Sequence, residues 1–301
     1  MVVKVIDSLA PRLRNLFVRF NAWHTVEEIR LRINKPIVIH SSLGAYSLEQ
    51  HGNKCQVAEG YCITEDDLNR TIGLMTSNSW YALEDEIRSG YLTLPGGHRV
   101  GLTGKTILDK GNIKTLKYLG SINIRLARQI LGAADSVMPR ILRSGVVRST
   151  VLISPPGCGK TTLLRDIARQ ISNCGINVVI IDERSEIAAC HQGVPQLDVG
   201  LQTDVLDGCP KASGITMALR GMSPQVIITD EIGRLEDGPA LADVMRAGVK
   251  VITSCHGAAI TALHQRVWLK QCEGVFEQAV VLSRKSGPGT IEGVLKLNSD
   301  A

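Results

Sequence analysis

Residues 151–162 read VLISPPGCGKTT. A short buried-strand pattern runs into a turn of prolines and glycines, and Lys160-Thr161-Thr162 then open a helical pattern. A strand, a Gly-rich turn and a helix start in that order aim backbone N–H groups at an anion, which is the physical content of the phosphate-loop pattern G-x-x-x-x-G-K-[ST]. Gly159, Lys160 and Thr161 fill the end of the pattern, and Ser154 stands where it begins with Gly. The loop therefore predicts a nucleotide site formed by Pro156, Gly157, Cys158, Gly159, Lys160, Thr161 and Thr162. Lys160 would reach the β- and γ-phosphates, and the Thr161 hydroxyl would serve Mg2+.

The surrounding chain fits that reading. Unbroken apolar runs recur at 151–154, 178–182, 226–230, 249–255 and 279–283, separated by helical patterns. Such β-branched runs belong to strands covered on both faces, so the second part of the chain is expected to be an α/β domain with a parallel sheet.

A phosphate loop needs an acid on a second strand to hold the metal. VIITDE supplies Asp230 at the carboxyl end of its strand, where open α/β sheets bind ligands. Glu231 follows and is placed to act as general base toward water. VVIIDERSE ends a further strand in Asp182 and Glu183 beside Arg184, as metal support or as a solvated ion pair. VKVITSCHG closes its strand with Ser254, Cys255 and His256, and His256 is a candidate sensor of the γ-phosphate.

The first part reads differently. IRLRI (29–33) alternates, with Ile29, Leu31 and Ile33 on one face and Arg30 and Arg32 on the other. SINIRL (121–126) repeats that alternation. Helices are expected over 64–76 and 79–89, and a hairpin over 90–104 turned by Pro95-Gly96-Gly97. This predicts an α+β domain over 1–135 and the ATPase domain over 136–301.

Composition excludes little else. No apolar run approaches the roughly 18 residues of a membrane helix. The N-terminus lacks the clean apolar block of a signal peptide. The eight cysteines show no metal-like spacing and read as free thiols. A net charge of +5 on 301 residues is ordinary surface solvation.

The stretch ALRGMSPQVIITDEIGRLEDGPALADVMRAGVKVITSCHGA (218–258) resembles the secretion ATPases, the motors of type II and type IV secretion and of type IV pili. Arg220, Pro224, Glu231, Ile232, Arg234 and His256 fall on that family's marks, and DERSE (182–186) falls on its acidic box, where Glu183 would join the catalytic groups. Asp230 stands where these enzymes usually carry Gly. SPPGCGKTTLLRDIAR, VIIDERSEIAA, LDVGLQTDVLDGCPKASGITMALR and EIRLRINKPIVI are similar to a sporulation branch of the family. The resemblance implies a P-loop NTPase of the RecA/AAA-like kind, using ATP and Mg2+ and assembled as a hexamer. It also implies a cytoplasmic position at the inner face of a membrane and membrane-embedded channel proteins between mother cell and forespore as partners. One of Arg30, Arg32, Arg125, Arg220 and Arg234 would complete a neighbour's site.

Two other readings use the same residues. A nucleic-acid-dependent ATPase shares this core, although the chain offers no clustered aromatic platform of the kind single strands stack on. A non-hydrolysing switch would be expected to have lost Lys160, Asp230 or Glu231, and all three are present.

Overall fold

In the computed structural model, residues 3–77, 79, 88, 90–257 and 274–297 are described. Most of the helix expected over 79–89, and Cys272, lie outside them. The chain divides into two compact units, Met1–Arg128 and Gln129–Ala301.

The first unit is built on a seven-stranded sheet. Its strands are β1 (Val26–Arg32), β2 (Val38–Ser41), β3 (Gly44–Leu48), β4 (Lys54–Cys55), β5 (Tyr91–Leu94), β6 (His98–Asp109) and β7 (Asn112–Arg125), in the order β4-β3-β2-β1-β7-β6-β5. Every pairing is antiparallel. The two alternating segments pair with each other, Ile29 opposite Ile124 and Leu31 opposite Ile122, and all four side chains are buried. Two short helices, α1 (Val3–Asp7) and α2 (Pro11–Leu16), add Val5, Leu13 and Leu16 to the same core. The expected helix after residue 64 is α3 (Glu65–Met75). Thr64 and Asp67 form a capping box at its start, which satisfies N–H groups that the first turn leaves unpaired.

The hairpin at Pro95-Gly96-Gly97 joins β5 to β6, with Gly96 and Gly97 at φ of +94° and +78°. Glycine adopts that left-handed backbone without steric cost. Strand β6 then runs on to Asp109 and returns as β7, forming a second hairpin that the sequence reading did not anticipate.

The second unit opens with α4 (Met138–Ile141) and a small hairpin of β8 (Leu142–Arg143) and β9 (Val146–Val147). Its main sheet contains β10 (Thr150–Ser154), β11 (Val178–Asp182), β12 (Thr203–Asp207), β13 (Val226–Glu231), β14 (Lys250–His256), β15 (Gln278–Ser283) and β16 (Thr290–Lys296). The order is β12-β11-β13-β14-β10-β15-β16, and every pairing is parallel except β15 with β16. The central strands are buried along nearly their whole length, because helices α5 (Lys160–Asn173), α6 (Lys211–Gly221) and α7 (Asp237–Arg246) cover the sheet. The fold is α/β, with a parallel-sheet domain of the P-loop NTPase kind preceded by a smaller α+β unit.

Sheet order positions the site. Strand β14 lies between β10, which feeds the phosphate loop, and β13, which ends in Asp230 and Glu231. Three strands therefore deliver the loop, His256 and the two acids side by side at one carboxyl edge of the sheet.

Candidate nucleotide site

The loop between β10 and α5 turns on two glycines, Gly157 at φ +71° and Gly159 at φ +85°. Gly159 caps α5, so the unpaired N–H groups of the first helical turn open toward the loop. The segment from Pro156 to Thr162 forms one wall of a cavity of about 340 Å3, whose other walls include Arg184, Asp230, Glu231 and His256.

A reverse turn supports the loop from outside. The backbone N–H of Gly289, between β15 and β16, donates to the carbonyl of Cys158 at 2.9 Å. A Cβ on Gly159 would lie 3.2 Å from that same nitrogen. Glycine at 159 is thus required both by its backbone angle and by the space left for it.

Lys160 has its ammonium folded back onto its own loop, donating to the carbonyls of Ser154 at 3.2 Å and Pro155 at 3.3 Å. It also lies 3.2 Å from His256 Nδ1. Partial burial holds the lysine below its ordinary pKa. An ammonium only donates, so Nδ1 of His256 accepts and Nε2 carries the ring proton. That Nε2 lies 2.7 Å from Glu231 Oε2. A continuous chain Lys160–His256–Glu231 therefore runs across three neighbouring strand ends.

The register of β13 on β14 slips between Ile228 and Glu231, so Glu231 faces Ser254. Such a bulge re-aims side chains at the end of a strand. Thr253 Oγ1 donates to the Asp230 carbonyl at 2.5 Å and fixes the bulge.

Asp230 points the other way. Its Oδ1 accepts from Lys211 at 2.9 Å, while its buried Oδ2 has no partner among the described residues. Burial raises its pKa, partly offset by Lys211. A buried carboxylate oxygen with an open coordination position, in a cavity that Thr161 at the helix start also lines, suits a hard divalent cation such as Mg2+. Among the described residues no group of three or more His, Cys, Asp or Glu side chains is placed to hold a metal unaided. Phosphate oxygens would have to complete the shell.

Lys211, at the start of α6, is the site residue that sequence reading missed. Its side chain is 7% exposed, and its Nζ pairs with Glu183 as well as Asp230. Glu183 also meets Arg234 at 3.1 Å. Burial pushes the Glu183 carboxyl up, but the hydrogen bond and charge of Lys211, aided by Arg234, bring it below the ordinary range. Glu183 thus joins Asp230 through a lysine and stands outside the cavity wall.

The acidic-box loop is clamped in place. Asp182, fully buried, accepts the N–H groups of Glu186, Ile187 and Ala188, each at 2.9 Å. Arg165 on α5 donates to the carbonyls of Glu186 at 2.6 Å and Ile187 at 2.5 Å. Three of the five arginines proposed to act on a neighbour are engaged within the chain. Arg30 and Arg125 both pair with Glu28 of β1, and Arg234 with Glu183.

The family model for sporulation stage III, protein AA matches residues 3–300. The chain is 43% identical to stage III sporulation protein AA of Bacillus subtilis over 279 residues, covering 90% of this chain and 87% of that protein. Among solved structures, the pilus retraction motor PilT with bound ADP superposes with a TM-score of 0.61 at 16% identity, covering 94% of this chain and 83% of that one. The Legionella pneumophila ATPase DotB superposes at 0.52 with 15% identity, covering 85% and 72%. Those two likenesses carry the fold, and the sequence matches carry the kinship. The chain belongs to the sporulation stage III protein AA family.

Proposed function

We propose that this chain is a Mg2+-dependent ATPase, a motor of the secretion-ATPase type. The chain Lys160–His256–Glu231 at the mouth of the phosphate-loop cavity is the observation that supports it most. In this reading the β- and γ-phosphates of ATP take Lys160 from the Ser154 and Pro155 carbonyls, exchanging weak neutral acceptors for charged ones. Glu231 accepts a proton from the attacking water, and the Nε2–H of His256 fixes the carboxylate orientation. Because His256 also touches Lys160, loss of the γ-phosphate changes the partner of the histidine and is transmitted to β14. Thr161 and Asp230 would hold Mg2+, which supplies neutralisation of charge developing on the phosphates.

The biological setting follows from kinship. In this reading the chain works as a hexamer at the cytoplasmic face of a membrane, energising a mother cell–forespore channel with membrane-embedded partners, and its family membership supports that setting. The first unit would serve ring assembly and partner docking. No helix among the described residues is long and apolar enough to cross a membrane.

The test is Mg2+-dependent ATP hydrolysis by the purified chain, with and without single-stranded DNA, using Glu231→Gln as the blank. Turnover that is indifferent to DNA and lost in the variant supports the secretion-type motor. Strong stimulation by DNA would instead establish a nucleic-acid-dependent ATPase, and absence of nucleotide binding would end the ATPase reading.

A further inference from the structure

The far half of the β6–β7 hairpin is exposed in an unusual way. Leu108 and Ile113 sit directly opposite each other next to the turn and are 61% and 47% exposed. Tyr118 is 82% exposed and has φ +49°. A register shift sets Gly104 against Tyr118, Leu119 and Gly120, and a Cβ on Gly104 would lie 2.7 Å from the Lys117 carbonyl. The bulge bends the hairpin here and turns the tyrosine outward.

Residues 103–119 also contain Lys105, Lys110, Lys114 and Lys117 against one acid, Asp109. Lys105 lies directly opposite Lys117. Like charges in that relation destabilise a strand pair in water. Neither lysine forms an ion pair with a described residue, so no described acid relieves the repulsion.

We propose that this arm, residues 103–119, is a docking surface for an anionic lipid bilayer. Leu108 and Ile113 enter the headgroup boundary, Tyr118 lies at the interface, and the four lysines lay their stems along apolar surface with their ammonium groups on lipid phosphates. An anionic surface removes the Lys105–Lys117 repulsion that water leaves in place. A second copy does not fit as well, because a twofold contact would set the same lysines against themselves. A nucleic acid would use the lysines but would leave the aliphatic tip with no partner.

The experiment is co-sedimentation of the full chain with vesicles of phosphatidylglycerol and phosphatidylcholine, and with phosphatidylcholine alone. Binding is expected only to the anionic vesicles and should fall steeply with added salt. Each lysine near such a surface is worth on the order of fivefold in partitioning. The double variant Lys105→Glu, Lys117→Glu should therefore lose at least about tenfold. Lys105→Arg with Lys117→Arg should retain binding, and Leu108→Ser with Ile113→Ser should weaken it at every salt concentration. All positions are exposed, so melting temperatures should stay at the wild-type value. No phosphatidylglycerol-dependent pelleting, or pelleting that the variants leave unchanged, overturns the proposal. So does loss of oligonucleotide binding or a changed sedimentation mass in the variants without any vesicle binding, which would make the arm a nucleic-acid or self-association surface.

Discussion

Lys211 Nζ lies 2.9 Å from Asp230 Oδ1, and the same ammonium pairs with Glu183. One buried cation thus joins an acid just past the end of β11 to one on β13 and occupies the ground between two carboxylates that would otherwise repel each other. Removing one partner of a buried ion pair leaves uncompensated charge and typically costs about 3–5 kcal/mol. Lys211→Met is expected to lower stability by an amount of that order in denaturant unfolding. Mg2+ should raise the melting temperature of the variant more than that of the wild type, since a cation can take the vacated place. Equal stability of the two proteins would mean that the bridge contributes little.

The phosphate loop gives a sharper structural test. Gly159→Ala places a Cβ 3.2 Å from the Gly289 nitrogen, at a backbone angle of +85°. Left-handed backbone costs a non-glycine residue about 1–2 kcal/mol, and the supporting turn must also shift. A loss of about 2 kcal/mol together with weaker nucleotide binding is the expected result. Unchanged affinity would mean that the loop tolerates displacement from its supporting turn.

What could be read from the sequence followed chain continuity. The loop, Asp230 with Glu231, and His256 are each written in a few consecutive residues, and the buried parallel strands announce themselves as unbroken apolar runs. Lys211 carries no such signal. Its role arises only because α6 brings its first turn over the ends of β11 and β13, whose paired residues Val178 and Val226 lie 48 positions apart in the chain. The insertion of β14 between β10 and β13 is likewise a property of the sheet. Glu28 carries no signal of its own, because one of two adjacent acids in VEEIRLR looks like surface charge, yet it is 8% exposed and holds Arg30 and Arg125. The far half of the β6–β7 hairpin escaped because residues 103–115 are nearly all exposed on both faces, which erases the alternation that marks a strand. Its turn, Asp109-Lys110-Gly111-Asn112, has Lys110 and Gly111 at φ of +47° and +82°, and the Lys-Gly step was the available signal.

Asp182 sets a pH dependence. Burial pushes its carboxyl up to about 6, even though the N–H groups of Ala188 and Glu186 favour the ionised form. Between the ordinary value near 4 and about 6, the folded chain therefore binds more protons at this site than the unfolded chain. Stability from this group is greatest below that window and falls as pH rises through it, by up to about 3 kcal/mol. Asp182→Asn should flatten that part of the profile in thermal unfolding followed from pH 4.5 to 7, as a window around the shifted value. A profile identical to the wild type would place the titration elsewhere.

His256 and Glu231 can be separated by kinetics. Glu231→Gln keeps an acceptor for the Nε2–H of His256 and so keeps the geometry, but removes the base. Turnover should fall at least about 10²-fold with ATP affinity retained. His256→Ala leaves the base in place and removes what orients it, so a smaller fall in kcat is expected, on the order of tenfold, with KM little changed. His256→Gln offers both an acceptor and a donor and should recover part of the loss. If His256→Ala instead raised KM strongly while sparing turnover at saturation, the histidine would be holding Lys160 rather than Glu231, and the catalytic chain would run in the opposite sense.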